Sequence, residues 1–479
     1  MSNESVLLLL VFCPVLGAFV LPFLGAISEK LRNVAALAFV VVSLICSLVL
    51  LGPVGRGQTI TVTAGFAPGF GLFHADMLAL FMAIVSALVG AIIVFYSWDY
   101  ISHYKERNEY YLMVVLFLGS MMGLIFARNL IFLYLFWEIT AIACWRLIGY
   151  FRGKVDVIRA DKAFLVTVFG ALMMLIGFIL VYNQTGSFDY GVIKQKLAAD
   201  PLTNTAAILI LFGILSKSAT LPLHTWLPDA GVAPSPVTAL LHAAVLVKIG
   251  VYVFARLFVA TFTVDQVWHT AVPIIAASSA IVAAGAALIE TDIKRIIAYS
   301  TISQIGFIFL GLATGNAIGI AGGLIYILMH GLAKGGLFLC AGIVEQNTKV
   351  KDITKMGGLI RTMPYTAVAF LLCSFSVMGI PPFGGFFGKY MVITGAVNNG
   401  QLAIALAFVV GAFLTIIYLM RLFTMVFLGE LKIDAREKSP SMVASVVTLA
   451  LLSFVAGVFI IYPSGLAHTA VSQMLGGMR

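Results

Sequence analysis

Seven ionisable side chains stand inside long apolar runs of this sequence: Glu138, Lys217, His242, Lys248, His330, Lys334 and Lys389. Carboxylates, amines and imidazoles are the side chains that take up and release protons. A charged group near the middle of a bilayer opposes insertion by about 2.5–3.5 kcal/mol, so one Glu and four Lys, unpaired, sum to roughly 12–17 kcal/mol. Ion pairing that merely locks helices together would relieve this, but four lysines face a single glutamate. Most of them must be neutral or hydrated, and a neutral Lys or His in a wet cavity is a proton carrier.

Spacing adds detail. His330 and Lys334 are four apart and share a helix face, so one water could join them. His242 and Lys248 are six apart and are expected to point to different sides, each with its own neighbours. His224 follows Lys217 by seven residues with Pro222 between. It reads equally as a structural histidine at a helix break or as a relay member. Arg146 lies eight residues past Glu138, placed either to snorkel to the interface or to act as a charge partner. A carboxylate roughly 6 Å from Lys217, at an effective dielectric near 20, would favour the ammonium by about 2.8 kcal/mol.

Elements able to hold these groups must be membrane helices. The chain has 479 residues, 61% of them hydrophobic and only 10% charged, which excludes a soluble enzyme. Apolar runs predict an all-α polytopic protein of about 14 spans. They cover residues 5–26, 33–53, 75–97, 111–127, 129–150, 161–182, 205–221, 237–259, 267–289, 295–313, 317–344, 365–397, 402–428 and 440–462. Two runs are interrupted, at 216–236 (Pro222, Pro228, Pro234, Pro236) and at 379–389 (Gly-Ile-Pro-Pro-Phe-Gly-Gly-Phe-Phe-Gly-Lys). Proline removes a backbone donor, and unwound backbone at membrane depth survives only beside protein or water. The breaks fall in spans 7 and 12, five apart. An odd period inverts topology, so spans 4–8 and 9–13 are expected to be inverted repeats with discontinuous helices 7 and 12. The division is 1–110 for the first three spans, 111–260 and 261–428 for the repeats, and 429–479 for span 14 and the tail.

Loops after odd-numbered spans hold 18 Lys and Arg, from Lys30 and Arg32 to Arg436 and Lys438. Those after even-numbered spans hold five: Arg56, Arg128, Lys194, Lys196 and Arg256. Both termini are therefore expected outside a cell inner membrane. The N-terminal apolar run lacks a basic leader and reads as a first span, not a signal peptide. Basic residues scattered over short loops form no nucleic-acid stripe, so the surroundings are membrane lipid and no nucleic acid. Cys13, Cys46, Cys144, Cys340 and Cys373 show no CxxC pair, and no phosphate-binding loop is present. No cofactor or metal is expected in this chain. At the loops, Asp76 with His74 is placed to cap span 3 and Asp229 to brace the span 7 break through backbone N–H groups. Asp292 favours a helix start, Lys294 and Arg295 set topology, and Asp99 belongs to the interfacial aromatic belt.

Several motifs carry a family resemblance: Phe-Trp-Glu (136–138), Lys-Ser-Ala with Pro-Leu-His-Thr-Trp-Leu-Pro-Asp-Ala (217–230), Ala-Pro-Ser-Pro-Val-Thr-Ala-Leu-Leu-His-Ala-Ala (233–244), Lys248, Asp-Ile-Lys-Arg-Ile-Ile-Ala-Tyr-Ser-Thr-Ile-Ser-Gln (292–304) and the 379–389 segment. Together they resemble the antiporter-like proton-pumping subunits shared by respiratory complex I, Mrp antiporters and membrane-bound energy-converting hydrogenases. The resemblance covers nearly the whole chain. It implies fourteen helices, two inverted five-helix repeats, and a proton relay through Glu138, Lys217, Lys248 and Lys389. His330 and Lys334 stand at the link, with His242 and His224 secondary. No long lateral helix follows residue 462, and 163–170 with 330–342 is similar to the hydrogenase, formate-hydrogenlyase and Mrp side.

The expected function is a proton-translocating subunit of a redox-driven membrane complex, itself making no covalent change. Its partners would be other membrane subunits of the same family and a peripheral redox arm, with Fe–S, flavin or NiFe centres in those partners. The alternative is an Mrp-type Na+/H+ antiporter subunit with no redox partner. Protons are favoured over Na+ because Glu138 is the only carboxylate read clearly inside the membrane.

Overall fold

A computed structural model describes residues 1–63 and 71–476. The end of the 429–479 segment, with Arg479, lies outside the described residues. In hydrocarbon every backbone N–H and C=O must be satisfied within its own segment, and the apolar runs answer this as helices. In order these are α1 (Asn3–Ile27), α2 (Glu29–Gly55), α3 (Met77–Tyr100), α4 (Arg107–Phe126), α5 (Leu130–Ile148), α6 (Lys154–Thr185), α7 (Tyr190–Leu197), α8 (Asn204–Lys217), α9 (Trp226–Asp229), α10 (Ser235–Ala239), α11 (Leu246–Phe254), α12 (Trp268–Ile289), α13 (Ile293–Ala313), α14 (Ala317–Thr348), α15 (Pro364–Met378), α16 (Gly384–Asn398), α17 (Leu402–Phe427), α18 (Pro440–Val458) and α19 (Ile461–Met474). Strands β1 (Ile60–Thr63) and β2 (Gly71–Ala75) pair antiparallel, Ile60 opposite Ala75, on one face.

Among the described residues, twelve helical stretches are long and apolar enough to cross a membrane, one of them the irregular run Ser235–Val259. Two shorter apolar helices, α8 and α15, occupy the places of expected spans 7 and 12. Against the expected fourteen spans, the described residues thus hold twelve stretches of spanning length and two shorter helices that end at a break. α8 ends at Lys217, and chain outside any helix follows to Thr225. α15 ends at Met378, and Gly379 turns out of it at φ 83°, a left-handed conformation that a Cβ would oppose. Both breaks contain a cis X–Pro bond, Leu221–Pro222 and Pro381–Pro382.

The repeat is visible in the elements. α6 and α14 have 32 residues each. Asn129 caps α5 and forms an isolated antiparallel bridge with Asp189, while Asp292 caps α13 and forms one with Asp352. The first bridge lies on the hairpin face, where the Arg128 N–H donates to Leu72 O. The second lies on the opposite face, where Lys294 reaches Ala233 O. The copies are therefore inverted.

The last expected span, 440–462, is longer in the structure. Ser441 bonds Asp99 near one end of α3, and Gln473 accepts from the Met77 N–H at the other. α18 and α19 thus run antiparallel to α3 as one bent traverse. Polar residues Ser464, His468, Thr469 and Gln473 lower the hydropathy past 462 and hide this continuation from a hydropathy reading. α13 and α14 have 94% of their apolar windows buried, and the 235–259 stretch 100%. These three form the interior around which the lipid-facing helices are arranged.

Candidate ion-translocation site

In the first repeat, Asn129 accepts from the Phe132 N–H at 2.9 Å and starts α5, which carries Trp137 in the core and Glu138 on a half-buried flank. Lys217 closes α8, fully buried. Its ammonium donates to Trp137 O at 2.7 Å and lies 4.7 Å from the centre of the Trp137 ring. Glu138 and Lys217 are close enough for their charges to interact. Yet Lys217 is held by the residue beside the glutamate, and Glu138 Oε1 has no hydrogen-bond partner among the described residues.

The centre of the row departs from regular winding. Residues Leu240–Ala244 form a π turn, and Val245 follows at φ −129°, ψ −75°. An extra residue in a turn rotates everything after it. The expectation that His242 and Lys248 face different sides is corrected by this turn, because both meet α14. The His242 ring centre is 4.3 Å from that of Phe338. The Lys248 ammonium donates to Ala243 O and rests against Gly331, where a Cβ would stand 2.5 Å from Nζ. His330, the next residue along α14, feels the charges of Lys248, Lys334 and Lys389. Both ring nitrogens of His242 and of His330 are buried with no hydrogen-bond partner among the described residues. Buried polar atoms are hydrogen-bonded almost without exception, so these four nitrogens call for water.

Lys334 donates to Ile297 O at 3.2 Å and to the Ser300 hydroxyl, both on α13. Lys389 sits on α16, yet its ammonium reaches back across the break to Val377 O at 2.7 Å. It lies 4.6 Å from the Phe307 ring centre and 5.7 Å from that of Tyr326. The structure thus groups Glu138 with Lys217, and Lys248, His242, His330, Lys334 and Lys389 with one another. His224 is apart from both groups, half-buried in the break loop near Lys162.

Several acidic residues play parts that spacing did not reveal. Glu345, on α14 just past the expected end of span 11, pairs with Lys294 at 2.8 Å and Lys351 at 3.1 Å. Asp229 takes Lys162 and Arg295, each at 2.8 Å, instead of backbone N–H groups. Burial alone would raise its carboxyl, but hydrogen bonds from these two cations outweigh that and hold it below the usual carboxylate range. Asp76 does cap α3, accepting from the Ala79 N–H at 2.9 Å. It also binds the buried Arg256 in a bidentate pair, which overcomes desolvation and keeps its carboxyl well below the usual range. Burial pushes neighbouring His74 down to about 4. Arg146 joins Arg152 on Glu109, which accounts for it outside the row. Glu138 is therefore not the only carboxylate drawn into the interior. Among the described residues, Asp76, Asp229 and Glu345 each have an ion pair and Glu138 has none.

A sequence profile described as NADH:quinone oxidoreductase/Mrp antiporter, TM matches residues 127–415, more than half of the chain. The chain belongs to this family. Among its relatives, the A1 subunit of the Na(+)/H(+) antiporter of Staphylococcus saprophyticus is 34% identical over 95% of this chain and 61% of its own length. The A1 subunit of the Staphylococcus aureus antiporter is 30% identical over 98% and 64%. The chain thus spans about three-fifths of these relatives. A chain of the Mrp complex from Dietzia sp. shares the fold at TM-score 0.91 and 24% identity, covering 99% of this chain and 98% of that one. A chain of an archaeal respiratory complex, the membrane-bound sulfane sulfur reductase, gives 0.92 and 25% over the same shares. The protein is an antiporter-like, multi-pass membrane subunit of the Mrp/complex I superfamily, whose solved relatives sit in multisubunit complexes. The names of the sequence relatives favour the Mrp-type alternative over the redox-driven reading, and those relatives lend no support to a peripheral redox arm.

Proposed function

We propose that this chain is a proton-conducting subunit of an Mrp-type cation/proton antiporter, working beside other membrane subunits. The observation that carries this reading is the buried row of basic side chains with unpartnered imidazoles, flanked by two broken helices. A proton taken up at Lys217 under the field of Glu138 is released when that field weakens. It then passes through the water that His242 and His330 require, by way of Lys248 and Lys334, to Lys389. By the positive-inside bias the hairpin face is the outside of the cell membrane and the Asp229 face the cytoplasmic side.

The test is transport in everted vesicles of an antiporter-deficient host carrying the complete complex. Adding Na+ should collapse a preformed pH gradient, and Lys389→Ala should abolish that response while the complex still assembles. A full response in Lys389→Ala removes the outlet role. The likeness to the sulfane sulfur reductase chain favours one second reading, a redox-driven complex whose centres lie in other subunits. Flavin or Fe–S absorbance in the purified complex would select it over the antiporter.

A further inference from the structure

Helix α13 runs from the first break to two lysines of the row, Lys334 and Lys389. At its start Arg295 holds Asp229 at 2.8 Å and Lys294 donates to Ala233 O at 3.0 Å. Both acceptors belong to the segment that joins the broken helix of Lys217 to α10. One turn on, Ile297 O and the Ser300 hydroxyl hold the Lys334 ammonium. Two turns further, Gln304 Oε1 accepts from the Tyr326 hydroxyl at 2.5 Å, and the Phe307 ring lies under Lys389. From Arg295 to Phe307 is about 18 Å of helix at 1.5 Å per residue. No proline interrupts the helix, and its window is 94% buried, so it moves as a rod or not at all.

We propose that α13 links the first break mechanically to the second-repeat lysines, with Asp229 and Arg295 as the positioning residues that form its joint. This rests on the reading that those lysines carry protons. Asp229 is shared between Lys162 of the first repeat and Arg295 of the second. A displacement of the Lys217 break therefore pulls α13 along its axis or about it. The same shift changes the oxygen atoms offered to Lys334 and the ring offered to Lys389. A packed interior answers a small push by switching between discrete arrangements, not by yielding continuously.

The test uses the complete complex in vesicles and the double variant Asp229→Cys/Arg295→Cys, bridged by a bismaleimide of side-chain length. Before bridging, transport should fall at least tenfold, with the half-saturating Na+ concentration and the yield of assembled complex unchanged. Bridging should restore most of the rate, while single-cysteine variants, which cannot be bridged, stay slow after the same treatment. Wild-type transport before bridging, or a loss that bridging leaves untouched, overturns the joint. If the double variant does not assemble, Asp229→Asn decides: a tenfold loss at unchanged Na+ affinity supports the joint, and a wild-type rate overturns it. Lys389→Ala is measured alongside. If that variant transports normally the relay reading has failed, and if it is dead while the joint variants are active only the joint has.

Discussion

The two broken helices solve one problem in two ways. At the first, Lys217 closes α8, bonds a carbonyl from another helix, and has Glu138 beside that carbonyl's own residue. The break loop is polar and gripped by ions at Asp229. At the second, Lys389 lies past the break and bonds Val377 O of the same interrupted helix. Aromatic rings surround it, and no carboxylate is among the charges acting on it. That break is wedged from outside by α18, where a Cβ on Gly457 would stand 2.3 Å from Pro382 O and from the Gly384 N. The first lysine is thus set by a neighbouring charge that can change. The second is set by fixed dipoles and rings. On the proposed relay, control would belong at the first break and discharge at the second.

This contrast is broken most directly by Glu138→Gln. Removing a field of about 3 kcal/mol is worth roughly a hundredfold, so Na+-driven proton movement should fall by about that factor with assembly intact. Normal transport in that variant would dissolve the distinction between the breaks. Gly457→Val comes next. Overpacking backbone at the second break should lower thermal stability by about 1–3 kcal/mol, whereas Gly465→Ala, with open space around it, should leave the melting temperature of the purified complex unchanged.

A smaller effect is expected from Phe307→Leu. Losing a cation–π contact of roughly 0.5–2 kcal/mol should slow transport about two- to thirtyfold, while the equivalent change at Phe375, whose ring meets Phe383, should not. Smallest is a pH effect away from both breaks. His74 titrates near 4 when folded against 6.5 ordinarily, so the unfolded chain binds more protons between those values. Stability is full above 6.5 and declines as the pH falls toward 4. His74→Gln should flatten that slope in thermal unfolding curves.

Most of the architecture was legible because hydrocarbon leaves helices as the only answer to long apolar runs, and because proline clusters mark breaks wherever they fall. The row residues stood out because Glu and Lys are costly in such runs. Three things were not legible. Pairings such as Asp229 with Arg295 and Glu345 with Lys294 join residues distant in sequence, and no spacing rule reaches them. The continuation into α19 was masked by the polar residues Ser464, His468, Thr469 and Gln473, while the helix buries Ala467, Ala470, Val471 and Met474. The facing of Lys248 depended on winding that a regular 3.6-residue period does not contain, and Leu-Leu-His-Ala-Ala itself holds no proline or glycine to flag it.

That winding has a consequence for how the protein tolerates change in length. Deleting one residue from Leu240–Ala244 would let the turn relax to ordinary α geometry and leave Lys248 facing Gly331, because the turn is what absorbs the extra residue. Inserting one residue between Val245 and Lys248 would instead swing the Lys248 side chain by about 100°, away from Gly331 and the imidazole beside it. Every side chain of the proposed relay would still be present, and the relay would be broken by register alone.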